Sequence, residues 1–169
     1  MNLSDSKTIN ADVQTVWAAL LDPEVLRACV PGCTEMAGSA SQGFTATVVQ
    51  KVGPVKATFK GTVRLSDVTP SHSLTMSGEG KGGAAGFAKG GAAVRLEPQG
   101  DATVLHYDVD AKVGGKLAQL GSRIIDGFAK KMADAFFSTF SDTVGAPQPN
   151  VEAPTDPNKK KGWLSGLTK

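Results

Sequence analysis

Few residues of this chain have the types and spacing that catalysis or metal binding requires. The two histidines, His72 and His106, have no partner at ligand spacing, and we expect both to be solvated. Cys29 and Cys33 are separated by three residues across a Pro-Gly pair, which is not a usual zinc spacing, so both are expected to act as small apolar residues. The inward positions of the predicted strands carry no His, Asp, Glu or Lys, although general acid–base catalysis needs a titratable group in the pocket. We therefore predict that the chain is not an enzyme and has no catalytic residue and no metal ligand.

A glycine-rich stretch between residues 78 and 91 contains the spacing of a nucleotide-binding loop, because residues 78–83 read Gly-Glu-Gly-Lys-Gly-Gly. The dinucleotide fingerprint also needs a helix directly after it, within a βαβ unit. A strand pattern follows here instead, so we reject nucleotide binding. The seven glycines of the stretch indicate a hairpin, which is either a mobile flap over a cavity or a rigid, twisted turn.

The composition is that of a globular chain in a reducing compartment. Of the 169 residues, 40% are hydrophobic and 20% are charged, which is typical of folded domains. There is no apolar run of about eighteen residues, so no membrane-spanning helix is predicted, and the first residues lack the apolar core of a signal peptide. Two cysteines are too few for a disulfide framework, which favours the cytosol.

The charges of the chain are unevenly divided. Residues 1–144 contain fourteen basic and fourteen acidic side chains, whereas residues 145–169 contain four lysines and two acidic residues. The net charge of +2 is therefore assigned to the last residues. A nucleic-acid-binding domain normally carries a basic stripe on its folded body, so the sequence predicts no nucleic-acid partner.

The elements that must position any binding site follow from hydrophobic periodicity. Residues 7–10 predict a strand, Asp12 is the expected N-cap of a helix, and Asp22 before a proline predicts a second, short helix. From 43 to 113 apolar and polar residues alternate, which predicts antiparallel strands with one apolar face. From about 116 to 143 apolar residues recur every three or four positions, which predicts one long helix. This order is typical of an α+β fold in which that helix covers the sheet.

The inward positions of the predicted sheet are small for a packed core, since many of them are alanine or glycine. Either Phe128, Phe136 and Phe140 of the long helix fill the space, or an apolar tunnel between sheet and helix takes a hydrophobic guest. Tyr107, the sole tyrosine, is expected to face inward and either donates a hydrogen bond to the guest or bonds to the backbone. The residues predicted to line the tunnel are Phe44, Val48, Phe59, Gly61, Val63, Met76, Phe87, Val94, Leu105, Tyr107, Leu120, Ile124, Phe128, Met132 and Phe136.

Several short motifs have an order and spacing that resemble a known family. They are a Val-Pro-Gly-Cys turn at 30–33, Gly-Pro-Val-Lys at 53–56, Phe-Lys-Gly at 59–61, and a Gly-flanked segment at 114–121 that opens the last helix. Together with the element order, they resemble the helix-grip fold of the START-like, or SRPBCC, superfamily, and within it the CoxG family of carbon monoxide dehydrogenase. The resemblance implies a curved antiparallel sheet of about seven strands wrapped on a long C-terminal helix, with two short helices after the first strand, over residues 1–144.

The resemblance also implies a function. Such a protein is an accessory protein of a molybdenum carbon monoxide dehydrogenase or a related hydroxylase, cytoplasmic and peripheral on the inner face of the cell membrane. It is expected to hold a respiratory quinone, menaquinone or ubiquinone, without any covalent cofactor, so that electrons pass from the enzyme to the quinone pool. The alternative is an assembly or docking factor that recruits the dehydrogenase to the membrane and binds no small molecule.

The last residues divide into a linker and a tail. Residues 145–158 contain four prolines and no periodicity, which predicts an extended linker. Residues 159–169 combine basic and interfacial apolar residues, which predicts a weak, reversible membrane anchor. A solubilising end or a segment that docks on the enzyme are the alternatives. The residues expected to contact the membrane are Lys159, Lys160, Lys161, Trp163, Leu164 and Leu167.

Overall fold

The computed structural model describes residues 1–145, which form seven strands and three α-helices. The predicted linker beyond residue 145 and the predicted tail lie outside the described residues. Two short 3-10 turns, Gly83–Ala85 and Gly115–Leu120, connect elements at one end of the sheet. In chain order the helices and strands are β1 Asn2–Ile9, α1 Val13–Leu20, α2 Pro23–Cys29, β2 Cys33–Ser39, β3 Gly43–Val52, β4 Val55–Thr69, β5 Ser73–Lys81, β6 Phe87–Gln99, β7 Ala102–Gly114 and α3 Ser122–Gly145.

The strands form one antiparallel sheet in the order β1-β7-β6-β5-β4-β3-β2. Strands β2 to β7 follow one another as a meander, and β1 pairs with β7 at the far edge. Helices α1 and α2 carry the chain between the two edges, and α3 covers one face of the sheet. The prediction of a seven-stranded helix-grip fold with a long C-terminal helix is confirmed.

Two strands differ from the sequence-based expectation. β1 begins at Asn2 rather than at Lys7, and its register with β7 runs from Asn2 opposite Asp110 to Ile9 opposite Thr103. β2 was not predicted, because its residues show no regular apolar alternation, and its pairing with β3 is irregular near Cys33. Both are edge strands, which form because a neighbouring strand supplies hydrogen-bond partners rather than through their own pattern.

The last helix begins later than predicted. The chain forms a 3-10 turn over Gly115–Leu120, and α3 starts at Ser122. Gly121 separates the two with φ of 91°, in the left-handed region that favours glycine. The backbone therefore changes direction there, so Leu117 and Leu120 do not lie on α3.

The predicted starts of the two short helices, α1 and α2, are correct to within two residues. The Asp22 side chain accepts a hydrogen bond from the Glu24 backbone N–H at 2.9 Å, and Pro23 occupies the first turn of α2. Asp12 occupies the N-cap position of α1, but its carboxylate accepts from the Thr15 hydroxyl rather than from a backbone N–H. Asp22 is therefore the true side-chain cap.

The core is divided between the two ends of the sheet. At one end, the last turns of α3 pack on large residues of the sheet, and Phe137 lies 5.1 Å from Tyr107 between ring centroids. A second, smaller cluster at the other end joins Val52, Leu117 and Ile125. We call the end of the sheet that carries the first cluster the packed end. We call the end that carries the second cluster the hollow end, because the sheet surface between the two clusters lacks large side chains.

Candidate functional site

The middle of the inner sheet face is almost bare backbone. Gly61 of β4 pairs directly with Ala46 on one side and with Gly80 on the other, and Gly80 pairs with Ala88. In the next row that faces the helix, Gly78 pairs with Gly90 and Gly90 with Ala111. Direct partners on antiparallel strands share a face. Two adjacent rows therefore present side chains no larger than a methyl group to the covering helix over most of their length.

Close approach between neighbouring strands requires some of these glycines. A Cβ on Gly90 would lie 2.2 Å from the Asp110 carbonyl oxygen, and a Cβ on Gly78 would lie 2.9 Å from that of Thr62. Gly80 is different, since a Cβ there would have no heavy atom within 4 Å. The space above Gly80 is therefore open, although close strand contacts require glycine at Gly78 and Gly90.

Helix α3 bridges this bare region. Its backbone approaches the sheet mainly at β1, an edge strand, and to a smaller extent at β3, the strand next to the other edge, whereas its contacts with the central strands are sparser. The aromatic side chains that pack it down, including Phe137 and Phe140, belong to its last turns. The first half of the helix is consequently held above the sheet at a distance that side chains do not fill.

Two adjoining apolar cavities of about 370 Å³ and 410 Å³ occupy the resulting space. The first lies under α3 and reaches Phe128, Ala129 and Met132, whereas the second lies over the sheet centre and reaches Val30 and Met36. Sites for small molecules commonly have volumes of about 300–1,000 Å³ and predominantly apolar linings. The residues that line both cavities are Val48, Phe59, Gly80, Ala88, Val109 and Ala111.

The cavity under α3 offers few polar atoms to a guest. Gln50 is the one polar side chain among its lining residues, and its amide N–H₂ donates to the Pro31 carbonyl in the Val-Pro-Gly-Cys turn. That bond uses one of the two amide hydrogens and leaves the side-chain carbonyl and the second hydrogen. The cavity can therefore hold an apolar guest and satisfy one polar group of that guest.

Residues 6–145 match the model of the carbon monoxide dehydrogenase CoxG family. The chain belongs to this family. The match spans every strand and helix described above except the first residues of β1, so it covers most of the cavity lining.

Solved structures support the fold. The chain is similar to a conserved protein from Geobacillus kaustophilus, with 28% sequence identity and a TM-score of 0.79 over 85% of this chain and 95% of that one. A Chromobacterium violaceum protein, at 13% identity, gives a TM-score of 0.64 over 86% of this chain and 98% of its own. A Rhodobacter sphaeroides protein, at 19% identity, gives 0.59 over 86% and 93%. The last two show the START-like helix-grip fold alone, and no curated protein sequence matches the chain significantly.

The structure brings about half of the predicted lining residues to the cavities. Residues that were not predicted also line them, among them Leu3, Val109 and Ile125. In the first turn of α3, Ile125 rather than Ile124 lines the cavity, whereas Phe128 and Met132 of the predicted apolar stripe do so as expected. The predicted residues found at the cavities are Val48, Phe59, Gly61, Val63, Met76, Phe128 and Met132.

The other predicted residues lie elsewhere in the fold. Phe44 is buried on β3 outside both linings, Phe87 is exposed, and Leu120 and Ile124 pack against the β3–β4 turn at Gly53. None of these four lines either cavity. The remaining ones, which belong to the core of the packed end, are Val94, Leu105, Tyr107 and Phe136.

Tyr107 occupies the packed end and is only 5% exposed. Its ring stacks at an angle on Phe137, and burial raises the pKa of its hydroxyl above the ordinary value. Because it lines neither cavity, its hydroxyl is not placed to meet a guest there. Gln50 is better placed for that role than Tyr107.

The expectation that the inner face carries no charged residue is wrong. Asp5 of β1 pairs directly with the inward-facing Tyr107 of β7, and Lys7 pairs with Leu105. Asp5 and Lys7 therefore share the inner face at the sheet edge. Lys7 Nζ lies 3.2 Å from a carboxylate oxygen of Asp134 on α3, and Lys130 Nζ lies 3.3 Å from the other. These bonds hold the pKa of Asp134 below its ordinary value, with Lys7 contributing most. This partly exposed network pins α3 to β1 and lines neither cavity.

The glycine-rich stretch is a hairpin rather than a nucleotide loop. Gly78 and Gly80 lie inside β5, Gly90 and Gly91 lie inside β6, and all four pair across the ladder. The hairpin closes through a 3-10 turn and a strand follows it, as the sequence pattern predicts.

Cys29 is buried and Cys33 is partly buried, and burial raises the pKa of both thiols.

The charges of the folded domain are segregated, which corrects the expectation of a body without a basic patch. Eight of the fourteen basic side chains of residues 1–145 lie around the hollow end, together with the acidic Glu35, Glu79 and Asp126. Asp108 and Asp110 line a surface groove with Lys89 and Lys112, and Glu24 lines another with Lys60 and Lys81. The equal totals conceal this arrangement. The eight basic residues, which we call the basic end, are Lys51, Lys56, Lys60, Lys81, Lys89, Lys112, Lys116 and Arg123.

Proposed function

We propose that this chain is a non-enzymatic accessory protein that carries a respiratory quinone to a molybdenum carbon monoxide dehydrogenase. Membership of the CoxG family implies the accessory role for carbon monoxide dehydrogenase. The observation that carries the quinone proposal is the apolar cavity between α3 and the bare centre of the sheet. Oxidation of carbon monoxide to carbon dioxide with water releases two electrons and two protons, which together reduce a quinone to a quinol.

The cavity suits the isoprenoid part of a quinone. Each 100 Å² of apolar surface removed from water contributes about 2.5 kcal/mol, before the entropic cost of association. A polar substrate would leave its hydrogen-bonding groups unsatisfied among Val48, Phe59 and Met132. A long hydrocarbon chain has no such groups, so the lining favours a lipid over a polar metabolite.

The quinone head needs one or two hydrogen bonds, because each buried carbonyl requires a partner. We assign this role to Gln50, the polar side chain of the cavity under α3. Its bond to Pro31 fixes the amide between β3 and the Val-Pro-Gly-Cys turn, so the remaining amide hydrogen has a defined direction. No general acid or base is required for carriage, since the dehydrogenase performs the chemistry.

The proposal includes a peripheral position on the inner face of the cell membrane. In the described residues, no helix is both long enough and apolar enough to cross a bilayer. Lys159–Lys161 and Trp163 of the sequence supply a basic and an interfacial group for membrane contact. A linker of the kind predicted for 145–158 extends about 3 Å per residue, which is enough for the domain to move between a membrane and an enzyme.

The test is to identify what the chain holds after expression in a quinone-producing bacterium. Solvent extracts of the purified full chain, analysed by mass spectrometry, are expected to contain quinone in near-stoichiometric amount. Met132→Trp, which enlarges a cavity-lining residue, should reduce the quinone content about tenfold or more. Lys131→Trp adds the same group to the neighbouring, exposed position and should leave the content unchanged.

Absence of quinone from the wild-type extract, even after quinone is added to the purified chain, would contradict the proposal. Enzyme recruitment that survives under those conditions would favour the docking factor without a guest. Equal quinone content in Met132→Trp and Lys131→Trp would show that the guest binds away from the cavity.

A further inference from the structure

The basic end contains an arrangement of like charges that does not favour folding. Lys51 lies directly opposite Lys56, and Lys60 lies directly opposite Lys81. A third pair on the same outer face joins Lys89 of β6 to Lys112 of β7. Like charges directly opposite each other on neighbouring strands are destabilising. Three such pairs in one half of a sheet indicate that an anionic surface outside the domain compensates for the repulsion.

None of the eight basic side chains forms an ion pair with another of residues 1–145. The ion pairs of that region belong instead to Lys7, Arg27, His106 and Lys130. The three rows contain two acidic side chains against six lysines: Glu79 lies directly opposite Lys89, and Glu35 lies in the row of Lys60 and Lys81, where it accepts a hydrogen bond from Thr47. The positive potential of the basic end is therefore left for a partner to neutralise.

Exposed apolar side chains lie among these lysines. Phe87 is 41% exposed and stands next to Lys81 on the outer face, where the two are direct partners. Ile124 is 40% exposed and packs with Leu120 against the turn between β3 and β4. Aromatic and aliphatic groups beside lysines are typical of surfaces that enter the interfacial layer of a bilayer.

The cavity lies at the same end of the domain. Its lining includes Val52 beside the β3–β4 turn, Leu117 of the second 3-10 turn, and Ile125 in the first turn of α3. The two 3-10 turns pack together at this end, where a Cβ on Gly115 would meet the Gly86 Cα at 2.6 Å. A partner surface that contacts the basic end therefore lies close to the cavity that the guest would occupy.

We propose that the basic end is a second membrane-contact site, which docks the folded domain on the anionic lipid surface and turns the hollow end toward the bilayer. The site is separate from the C-terminal tail, and its function as a loading position rests on the proposed carriage of a quinone. An acidic protein surface would match the charge but not the exposed Phe87 and Ile124. A nucleic acid would match the positive charge of the lysines, but it offers no apolar layer that could receive the exposed aliphatic groups.

The charges set the size of the expected effect. Each basic residue close to an anionic membrane strengthens binding about fivefold. Neutralising three of them should therefore weaken vesicle binding about a hundredfold, and the loss should shrink as salt screens the interaction.

The experiment compares two triple variants of the full chain with the same net charge. Lys51→Gln with Lys56→Gln and Lys116→Gln removes three charges from the basic end. The control, Arg64→Gln with Arg95→Gln and Lys131→Gln, removes three exposed charges elsewhere. Vesicles of phosphatidylglycerol and phosphatidylcholine, in a ratio of about three to seven, supply the anionic surface, and co-sedimentation measures binding. Circular dichroism and the melting temperature verify that both variants are folded.

Loss of vesicle binding in the basic-end variant, with the control retaining wild-type binding, supports the site. Equal binding by the two variants overturns it, because binding would then depend on the tail or on total charge. Retained vesicle binding with lost binding to the dehydrogenase or to duplex DNA also overturns it and assigns the patch to that partner. Quinone content, measured on the same preparations, decides the proposed carriage separately, since neither variant changes a cavity-lining residue.

Discussion

A leucine at position 80 is expected to stabilise the guest-free domain and to abolish guest binding. Gly80 lies in the interior of β5, between Gly61 and Ala88, at a position where a new Cβ meets nothing within 4 Å. Burying a leucine side chain fully stabilises the folded state by about 1.5–3 kcal/mol, and a side chain in an open cavity contributes part of that because it is buried only in part. Replacing a glycine inside a strand adds about 0.5 kcal/mol.

The predicted gain in the free energy of unfolding is therefore about 1–2 kcal/mol. For a chain of this size the melting temperature should rise by roughly 3–6 °C. The assay is urea or thermal unfolding of quinone-stripped wild type and Gly80→Leu, because a bound guest would stabilise the wild type by mass action. Quinone content is measured in parallel on the unstripped preparations.

Gly90→Leu is the matched contrast. It places the same side chain on the same inner face, but its Cβ would lie 2.2 Å from the Asp110 carbonyl oxygen. Gly90→Leu should therefore lower the melting temperature while Gly80→Leu raises it. Equal destabilisation by both would show that the space above Gly80 is filled, and a stabilised Gly80→Leu that still holds quinone would place the guest elsewhere.

Three further predictions concern charged residues of the domain and the tail. Lys81→Glu places an opposite charge across from Lys60, so the fold should gain about 0.2–1 kcal/mol in urea unfolding while anionic vesicle binding weakens; a variant that loses stability would refute the repulsion argument. The pKa of Asp134 is lowered by Lys7 first and Lys130 second, so its stabilising effect is present above the ordinary carboxyl pKa and is lost as the pH falls through the lowered value. Asp134→Asn should accordingly flatten the acid limb of stability against pH below about 4, and an unchanged limb in acid unfolding would contradict this. Deletion of 159–169 should leave the melting temperature unchanged and lower binding to anionic vesicles at low salt; full retention of binding would show that the tail is no anchor.

Much of the fold could be predicted because local patterns and global packing agree. Strand β4 alternates cleanly, Asp22 caps a proline-started helix, and the glycine-rich stretch is followed by a strand pattern. The two edge strands were harder, since β1 and β2 have few apolar residues. Their positions depend on hydrogen bonds to β7 and β3, which the residues of the edge strands do not encode alone.

The candidate site could be predicted only in part, because the start of the last helix and the register of the strands do not follow from local patterns. The helix keeps the predicted phase at Phe128 and Met132, but it begins only after Gly121, and in its first turn Ile125 rather than Ile124 lines the cavity. Small residues indicated a cavity but not which end it occupies, because the packed end is set by how Phe137 meets Tyr107. Charge totals likewise hid the basic end, which emerges only when cross-strand register places its lysines opposite one another.

The most direct test of the account is a crystal structure of the full chain with a short-tailed quinone. We expect density for the quinone between the first half of α3 and the sheet, in contact with Val48 and Phe59 and within hydrogen-bond distance of the Gln50 amide. Side chains of α3 in continuous contact with the bare rows around Gly80, with the quinone absent or bound outside the domain, would contradict it.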